Sequence, residues 1–351
     1  MTKPNQPRIK EAAPPALAHG RLAGKFAVVT GANRGLGLAI ARALVTEGAS
    51  VLITGRDRAA LASAKRELQT LAASHDSRAE ILAERCEVRD PRSVARVFAV
   101  VKKRWRRLDI LINNAGILQS PHPVEETPLD LWRSVIDTNL TGTFLCIQAA
   151  VPLMPRGATI VNNLSAAAKQ IFPKIAAYNA SKHGALGLTL TLRDELIPKG
   201  IRVTALMPGA SDTEIWSQLW PGAPRNKMIQ PESVAQAVLY AVLLPPSANL
   251  QELLLVPVVG ALCALRVQLA FTGCRKSRYP MDSYQGMTSV VPLSPSFLTF
   301  RADFSPRGQC ENDCFAASST PSCPRSFRFR RSTPESLLTV LMNRGAAIAS
   351  L

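Results

Sequence analysis

The sequence predicts an α/β fold: a doubly wound parallel sheet of about seven strands with helices on both faces, followed by an irregular C-terminal extension. Three observations predict it. Short β-branched runs alternate with helical patterns from Phe26 to Val259, a glycine-rich turn joins the first strand to the first helix, and regular periodicity stops near residue 262. Strands alternating with helices build right-handed βαβ units, and these close as a parallel sheet covered on both sides.

The elements follow in order. Phe26–Thr30 reads as the first strand, with Leu38–Glu47 as its helix. Val51–Thr54 precedes the helix Ala59–Ala73, for which Asp57 is the expected N-cap. Ile81–Cys86 leads to Ser93–Trp105, Ile110–Asn113 to one long helix over Leu129–Val151, and Thr159–Leu164 to Tyr178–Leu196. Val203–Met207 leads to Ser233–Leu243, and Leu253–Val259 closes the sheet. The chain therefore divides into a flexible tail over 1–24, one α/β domain over 25–262 and a low-complexity, disordered extension over 263–351. In that extension Ser, Pro, Arg and Phe recur without a period that could bury a face.

Composition narrows the class. With 47% hydrophobic and 19% charged residues in 351, the chain is an ordinary globular protein, neither collagen nor coiled coil. Its longest apolar stretch, Leu253 to Leu265, contains Pro257 and Gly260 and is too short to span a bilayer. The first 24 residues carry no apolar core of a signal peptide, so a cytoplasmic protein with no membrane partner is expected. Only Cys86 and Cys146 precede Cys263, which suits a reduced compartment without disulfides. Cys310, Cys314 and Cys323 lack the second pair or histidine that a zinc site needs, so no metal is expected.

The net charge of +17, from 42 basic against 25 acidic residues, suits a polyanionic or phosphorylated partner. Lys102, Lys103, Arg104, Arg106 and Arg107 surround Trp105, a pattern that could grip a nucleic-acid backbone. The same run fits a helix end, where cations complement the dipole, and this second reading is the simpler one.

The chemistry begins at the first turn. Thr30-Gly31-Ala32-Asn33-Arg34-Gly35-Leu36-Gly37 joins a strand to a helix. Glycines there let the backbone approach a pyrophosphate, while the helix N-terminus supplies N–H groups and positive potential. Further along, Tyr178 and Lys182 stand four apart and so share one helix face. A phenol ordinarily ionises near pH 10. A neighbouring ammonium favours the phenolate and should bring that value towards neutrality.

The spacing G-x-x-x-G-x-G, the sequence Asn113-Asn114-Ala115-Gly116 after the fourth strand and Tyr178-Asn179-Ala180-Ser181-Lys182 together resemble the short-chain dehydrogenase/reductase family over roughly Gly24 to Gly260. The chain is similar in particular to its β-ketoacyl carrier-protein reductases and related carbonyl reductases. The resemblance implies a Rossmann domain over 25–262 and hydride transfer between a nicotinamide cofactor and a small carbonyl or alcohol substrate. It implies Asn139, Ser165, Tyr178 and Lys182 as catalytic residues, with Ser165 holding the carbonyl oxygen and Asn139 holding a water that links Lys182 to solvent.

It also implies cofactor contacts from Gly31, Asn33, Arg34, Gly35, Leu36 and Gly37, from Glu87 and Val88 at the adenine, and from Asn114, Ala115 and Gly116 along the nicotinamide ribose. Tyr178, Lys182, Pro208, Gly209 and Thr213 complete the set. The family's acidic residue after the second strand, which would bind a ribose 2′-hydroxyl, is replaced here by Gly55, followed by Arg56. With Arg34 nearby, two guanidinium groups can clamp a 2′-phosphate, so NADP(H) is expected over NAD(H). Family members assemble as homodimers or homotetramers, and the same is expected here. The segment Glu214–Gln230, with Ile215, Trp216, Leu219 and Trp220, suggests an apolar substrate. A non-catalytic NADP-sensing regulator is the alternative, with a nucleic-acid-binding protein behind it. The intact Tyr–Lys pair argues for the enzyme.

Overall fold

The computed structural model describes residues 20–75 and 78–260, the side chain of Gln218 excepted. Most of the expected N-terminal tail and the whole expected extension 263–351, with its cysteines, lie outside the described residues. Seven strands form one parallel sheet in the order β3-β2-β1-β4-β5-β6-β7. They are β1 (Phe26–Val29), β2 (Ser50–Gly55), β3 (Ile81–Arg85), β4 (Ile110–Asn113), β5 (Thr159–Asn163), β6 (Arg202–Pro208) and β7 (Glu252–Leu255). The expected fold class is the one observed.

Side chains of successive strand residues point to opposite faces, and the core divides accordingly. Ala27, Val29, Val51 and Ile53 join one apolar layer with α1 (Gly35–Thr46), α2 (Arg58–Ser74) and α8 (Pro231–Leu243). Val28, Leu52, Leu111 and Ile160 join the other with α3 (Pro91–Arg104), α5 (Gly142–Ala150) and α6 (Ala176–Leu196). The central strands read as continuous apolar runs because both of their faces are buried. Full burial of one such Leu or Ile stabilises the fold by about 1.5–3 kcal/mol. As expected, Asp57 caps α2, its carboxylate accepting from the N–H groups of Ala59 at 2.8 Å and Ala60 at 3.1 Å.

Two elements differ from expectation. The single helix expected over Leu129–Val151 is α4 (Leu129–Ile136), a π-helical turn over Asp137–Thr141, and then α5. Thr138 and Thr143 turn their hydroxyls back to the carbonyls of Ser134 and Asn139 at 2.7 and 2.9 Å, and Gly142 packs directly on Val88. Such back-bonding loosens the regular helical ladder, and π turns recur at functional sites. The last strand stops at Leu255 rather than Val259, since Pro257 has no N–H to extend the ladder.

The basic run ends α3. Trp105 is buried, stacks on Phe26 with ring centroids 5.0 Å apart, and donates its indole N–H to Glu80 at 2.8 Å. Arg104 pairs with Glu80 and Arg107 with Asp109. The aromatic ring of the run belongs to the core, and Lys102, Lys103 and Arg104 form the last turn of α3, as the helix-end reading expects.

Strand order reverses between β1 and β4, which lie side by side although β2 and β3 intervene in the chain. Ligands of open α/β sheets bind in the crevice beyond the carboxyl ends of the strands at such a point.

Candidate active site

A cleft of about 1130 Å³ opens at that crevice. Its walls include Gly31, Asn33, Arg34, Gly35 and Leu36 from the first turn, Gly55 and Arg56 after β2, and Glu87 and Val88 after β3. Asn114, Ala115 and Gly116 follow from β4, and Ser165, Tyr178, Lys182, Pro208, Gly209 and Thr213 come from the ends of β5 and β6 and from α6. Two expected residues are not on the wall. Gly37 is buried behind it, and Asn139 is buried against the Gly116 loop.

The turn is built for close approach. Gly31 has φ 62°, and a Cβ there would stand 2.8 Å from Ala115 Cα. At Gly37 a Cβ would collide with the Gly31 carbonyl oxygen and the Asn114 amide nitrogen. The Asn114 side chain donates to the carbonyls of Thr30 at 3.0 Å and Gly31 at 2.9 Å. Thr30, absent from the expected site, braces the same corner: its hydroxyl accepts from the N–H groups of Asn114 at 2.9 Å and Ala115 at 3.0 Å. This bare backbone cradle fits a dinucleotide pyrophosphate. Replacing Gly37 by Ala is expected to cost about 1–3 kcal/mol through overpacking. Thermal unfolding with and without dinucleotide reads both the lost stability and the lost binding.

After β2, Asn33 occupies the space beside Gly55, so that a Cβ on Gly55 would meet its Oδ1 at 2.8 Å. Arg56 and Arg34 are both exposed there. Arg34 lies 3.3 Å from Glu214, and Arg56 lies 4.0 Å from Glu87. Partial burial would raise the Glu87 carboxyl, but hydrogen bonds from Arg89 and the charge of Arg56 hold it below the usual carboxylate range. Exposed pairs of this kind are worth only about 0–1 kcal/mol, so either arginine is readily drawn to a phosphate.

Helix α6 carries Tyr178 and Lys182 on one face, with Lys182 Nζ 5.5 Å from the Tyr178 ring centroid. Ser165, just beyond β5, lines the cleft with Tyr178 and favours the ionised form of its phenol. Lys182 Nζ donates to the main-chain oxygen of Asn163 at 3.2 Å. Burial pushes the Lys182 amine down to about 8. Burial also raises the Tyr178 phenol, against the smaller opposing effect of Ser165. Among the protein's own groups, burial therefore outweighs the lowering expected from the sequence. Lys182 directs its N–H groups to a carbonyl rather than to the phenol, and desolvation governs both groups.

Asn139 sits in the π turn. Its amide exchanges two hydrogen bonds with the main chain of Ile117, accepting at 2.8 Å and donating at 2.9 Å, and donates to Ser181 at 3.1 Å. Gln119, Asn163 and Ser181 enter the site without having been singled out by the sequence, because no motif spacing marks them. Among the described residues no cluster of His, Cys, Asp or Glu could hold a metal ion, and no helix is long and apolar enough to cross a membrane.

Part of the cleft wall is apolar. Phe172 and Ile175 line the cleft together with Trp216, Leu219 and Trp220 from α7 (Ile215–Leu219) and its flank. Trp216 donates its N–H to the Ser211 carbonyl at 2.7 Å and meets Trp220 edge-on at 6.2 Å.

A family profile described as short chain dehydrogenase matches residues 25–223. An uncharacterized oxidoreductase of Staphylococcus saprophyticus is 32% identical over 236 residues, which are 67% of this chain and 97% of the relative. A 3β-hydroxysteroid dehydrogenase of Mediterraneibacter gnavus is 37% identical over 197 residues, 56% of this chain and 69% of that one. Among solved structures, a metagenomic short-chain oxidoreductase in complex with NADP superposes with a TM-score of 0.59 at 30% identity, covering 68% of this chain and 99% of its own.

Proposed function

The chain belongs to the short-chain dehydrogenase family of oxidoreductases, and from that premise we propose that it transfers hydride between NADP(H) and the carbonyl/alcohol pair of an apolar small molecule. The observation that carries the reading is one cleft lined by a bare glycine cradle, by two exposed arginines and by the Ser165–Tyr178–Lys182 group. A solved relative of the same fold is titled as an NADP complex, which supports the choice of cofactor.

When bound, NADPH supplies the hydride. Gly31, Asn33, Gly35, Leu36 and Gly37 shape the turn that receives its pyrophosphate, and Arg34 and Arg56 hold its 2′-phosphate. Glu87 and Val88 border the adenine. Asn114, Ala115, Gly116, Pro208, Gly209 and Thr213 flank the nicotinamide half. Tyr178 gives its phenolic proton to the carbonyl oxygen of the substrate, while the Ser165 hydroxyl donates to the same oxygen as negative charge develops. Lys182, as an ammonium, favours the phenolate that remains, and Asn139 steadies the region that returns a proton to it. Phe172, Ile175, Trp216 and Trp220 select apolar substrates, in keeping with the hydroxysteroid named for one relative.

The test is NADPH oxidation over a panel of cyclic ketones, aromatic aldehydes and β-ketoacyl thioesters. Turnover of apolar carbonyls supports the reading. Tight NADPH binding with no turnover on any of them would instead favour a cofactor-sensing regulator. The pH profile has a defined sign. Lys182 loses its charge above about 8, so kcat/KM for NADPH is expected to fall about tenfold per pH unit beyond that point. Tyr178, raised by burial, adds no limb below its ordinary range.

The exposed apolar residues Leu129, Trp132, Phe144 and Leu190 on α4, α5 and α6 suit a self-association face. Sedimentation velocity is expected to show a homodimer or homotetramer, and a Phe144→Arg variant a shift towards monomer. Cys86 and Cys146, free and buried, accord with a cytoplasmic setting.

A further inference from the structure

Tyr178 stands in the first turn of α6, where N–H groups have no partner within the helix. Ile175, the residue before that helix, offers no side-chain acceptor. The Tyr178 N–H is nonetheless bonded, because Gln119 Oε1 accepts it at 3.0 Å. Gln119 lies on the loop that leaves β4, three residues beyond Gly116. It is only 2% exposed, and its amide nitrogen has no hydrogen-bond partner. Keeping a buried amide with its donors unused is costly, and an apolar side chain of the same shape would pack there without that cost. The acceptor is what the position retains.

The Tyr178 carbonyl is held as well. The Ser181 hydroxyl donates to it at 2.8 Å and itself accepts from Asn139 Nδ2 at 3.1 Å. Asn139 clamps Ile117 through two main-chain hydrogen bonds, and Ile117 is two residues from Gln119. The contacts close a ring through Asn139, Ile117, Gln119, Tyr178 and Ser181. Both peptide groups flanking the Tyr178 Cα are thereby tied to the loop that walls the cleft at Gly116. A second strap, from His122 N–H to the Lys174 carbonyl at 2.8 Å, holds the same loop to the segment before α6.

We propose that Gln119 is a positioning residue: it fixes the main chain of Tyr178 so that the phenol meets the substrate oxygen in register with Ser165. The inference rests on the functional reading above for its catalytic consequence, and on the hydrogen-bond ring alone for its structural one. Displacement of a reacting group by about 1 Å can cost on the order of 100-fold in rate, so one main-chain anchor is enough to matter.

The test uses the full chain with Gln119→Met, which keeps the shape and removes the acceptor, and Gln119→Glu, which keeps an acceptor. In the ligand-free protein, amide hydrogen exchange at Tyr178 is expected to quicken about tenfold or more in the Met variant, while amides deep in α6 keep their protection. With NADPH and a carbonyl substrate, kcat is expected to fall about tenfold with KM for NADPH within about twofold. The Glu variant is expected to restore both. Unchanged exchange at Tyr178, unchanged kcat in the Met variant, or loss of kcat and NADPH affinity together with no rescue by Glu would each overturn the proposal. A wild-type protein that oxidises no NADPH sinks the functional reading instead. The exchange arm then still decides whether Gln119 anchors Tyr178.

Discussion

Tyr178→Phe is expected to lower kcat for carbonyl reduction by about 10³-fold while leaving NADPH affinity within about threefold. The substitution removes one oxygen and keeps the ring. The change leaves Ser165 free to keep its own bond to the Ala167 N–H at 3.1 Å. The main-chain ring through Gln119 and Ser181 does not involve the phenol, so α6 stays in place. What is lost is the proton donor, and the residual rate comes from binding and from the single Ser165 hydroxyl. Stopped-flow NADPH oxidation at saturating substrate, beside fluorescence titration of NADPH binding, separates the two quantities. A Phe variant retaining a tenth or more of the wild-type kcat would mean that the proton comes from elsewhere.

The sheet was legible because its signal is long-range and redundant. Seven apolar runs separated by helical periods leave few ways to fold, and each strand appeared within a few residues of its expected place. The glycine turn was legible for a related reason. A residue type needed for backbone approach marks its own position, as Gly31 and Gly37 do. The π turn at Asp137–Thr141 was not legible, because hydropathy over Leu129–Val151 is continuous and the departure depends on Thr138, Thr143 and the Gly142–Val88 contact. Gln119 and Ser181 were hidden for another reason. Each acts through a main-chain atom of Tyr178, and no spacing rule in a sequence records which side chain will cap a helix from a distant loop. The upward push on the Tyr178 phenol was not legible because it comes from burial, which the sequence does not record.

Gly55→Asp is expected to invert cofactor preference, lowering NADPH affinity by about 100-fold and raising that for NADH by about tenfold. Gly55 ends β2 beside Arg56, and the atoms nearest to an added Cβ belong to Asn33. Asn33 Oδ1, at 2.8 Å from a new Cβ, is the far end of a flexible side chain and can swing aside, while Asn33 Cβ, at 3.1 Å, must give by a few tenths of an ångström. The carboxylate would then accept from a ribose 2′-hydroxyl, repel a 2′-phosphate and draw Arg56 away from that phosphate. Glu87, already within 4.0 Å of Arg56, would compete less for it. Arg56→Ala supplies the counterpart. It removes attraction without adding repulsion, so NADPH affinity should fall about 10- to 100-fold, the worth of one charge-assisted bond, with NADH affinity unchanged. Isothermal titration of both variants with both cofactors distinguishes the two terms. If Gly55→Asp weakened NADPH and NADH alike, the new side chain would be disturbing the glycine turn through Asn33 rather than discriminating at the 2′-position. If Arg56→Ala left NADPH binding intact, Arg34 alone would hold the phosphate, and the preference would lie in the first turn instead of after β2.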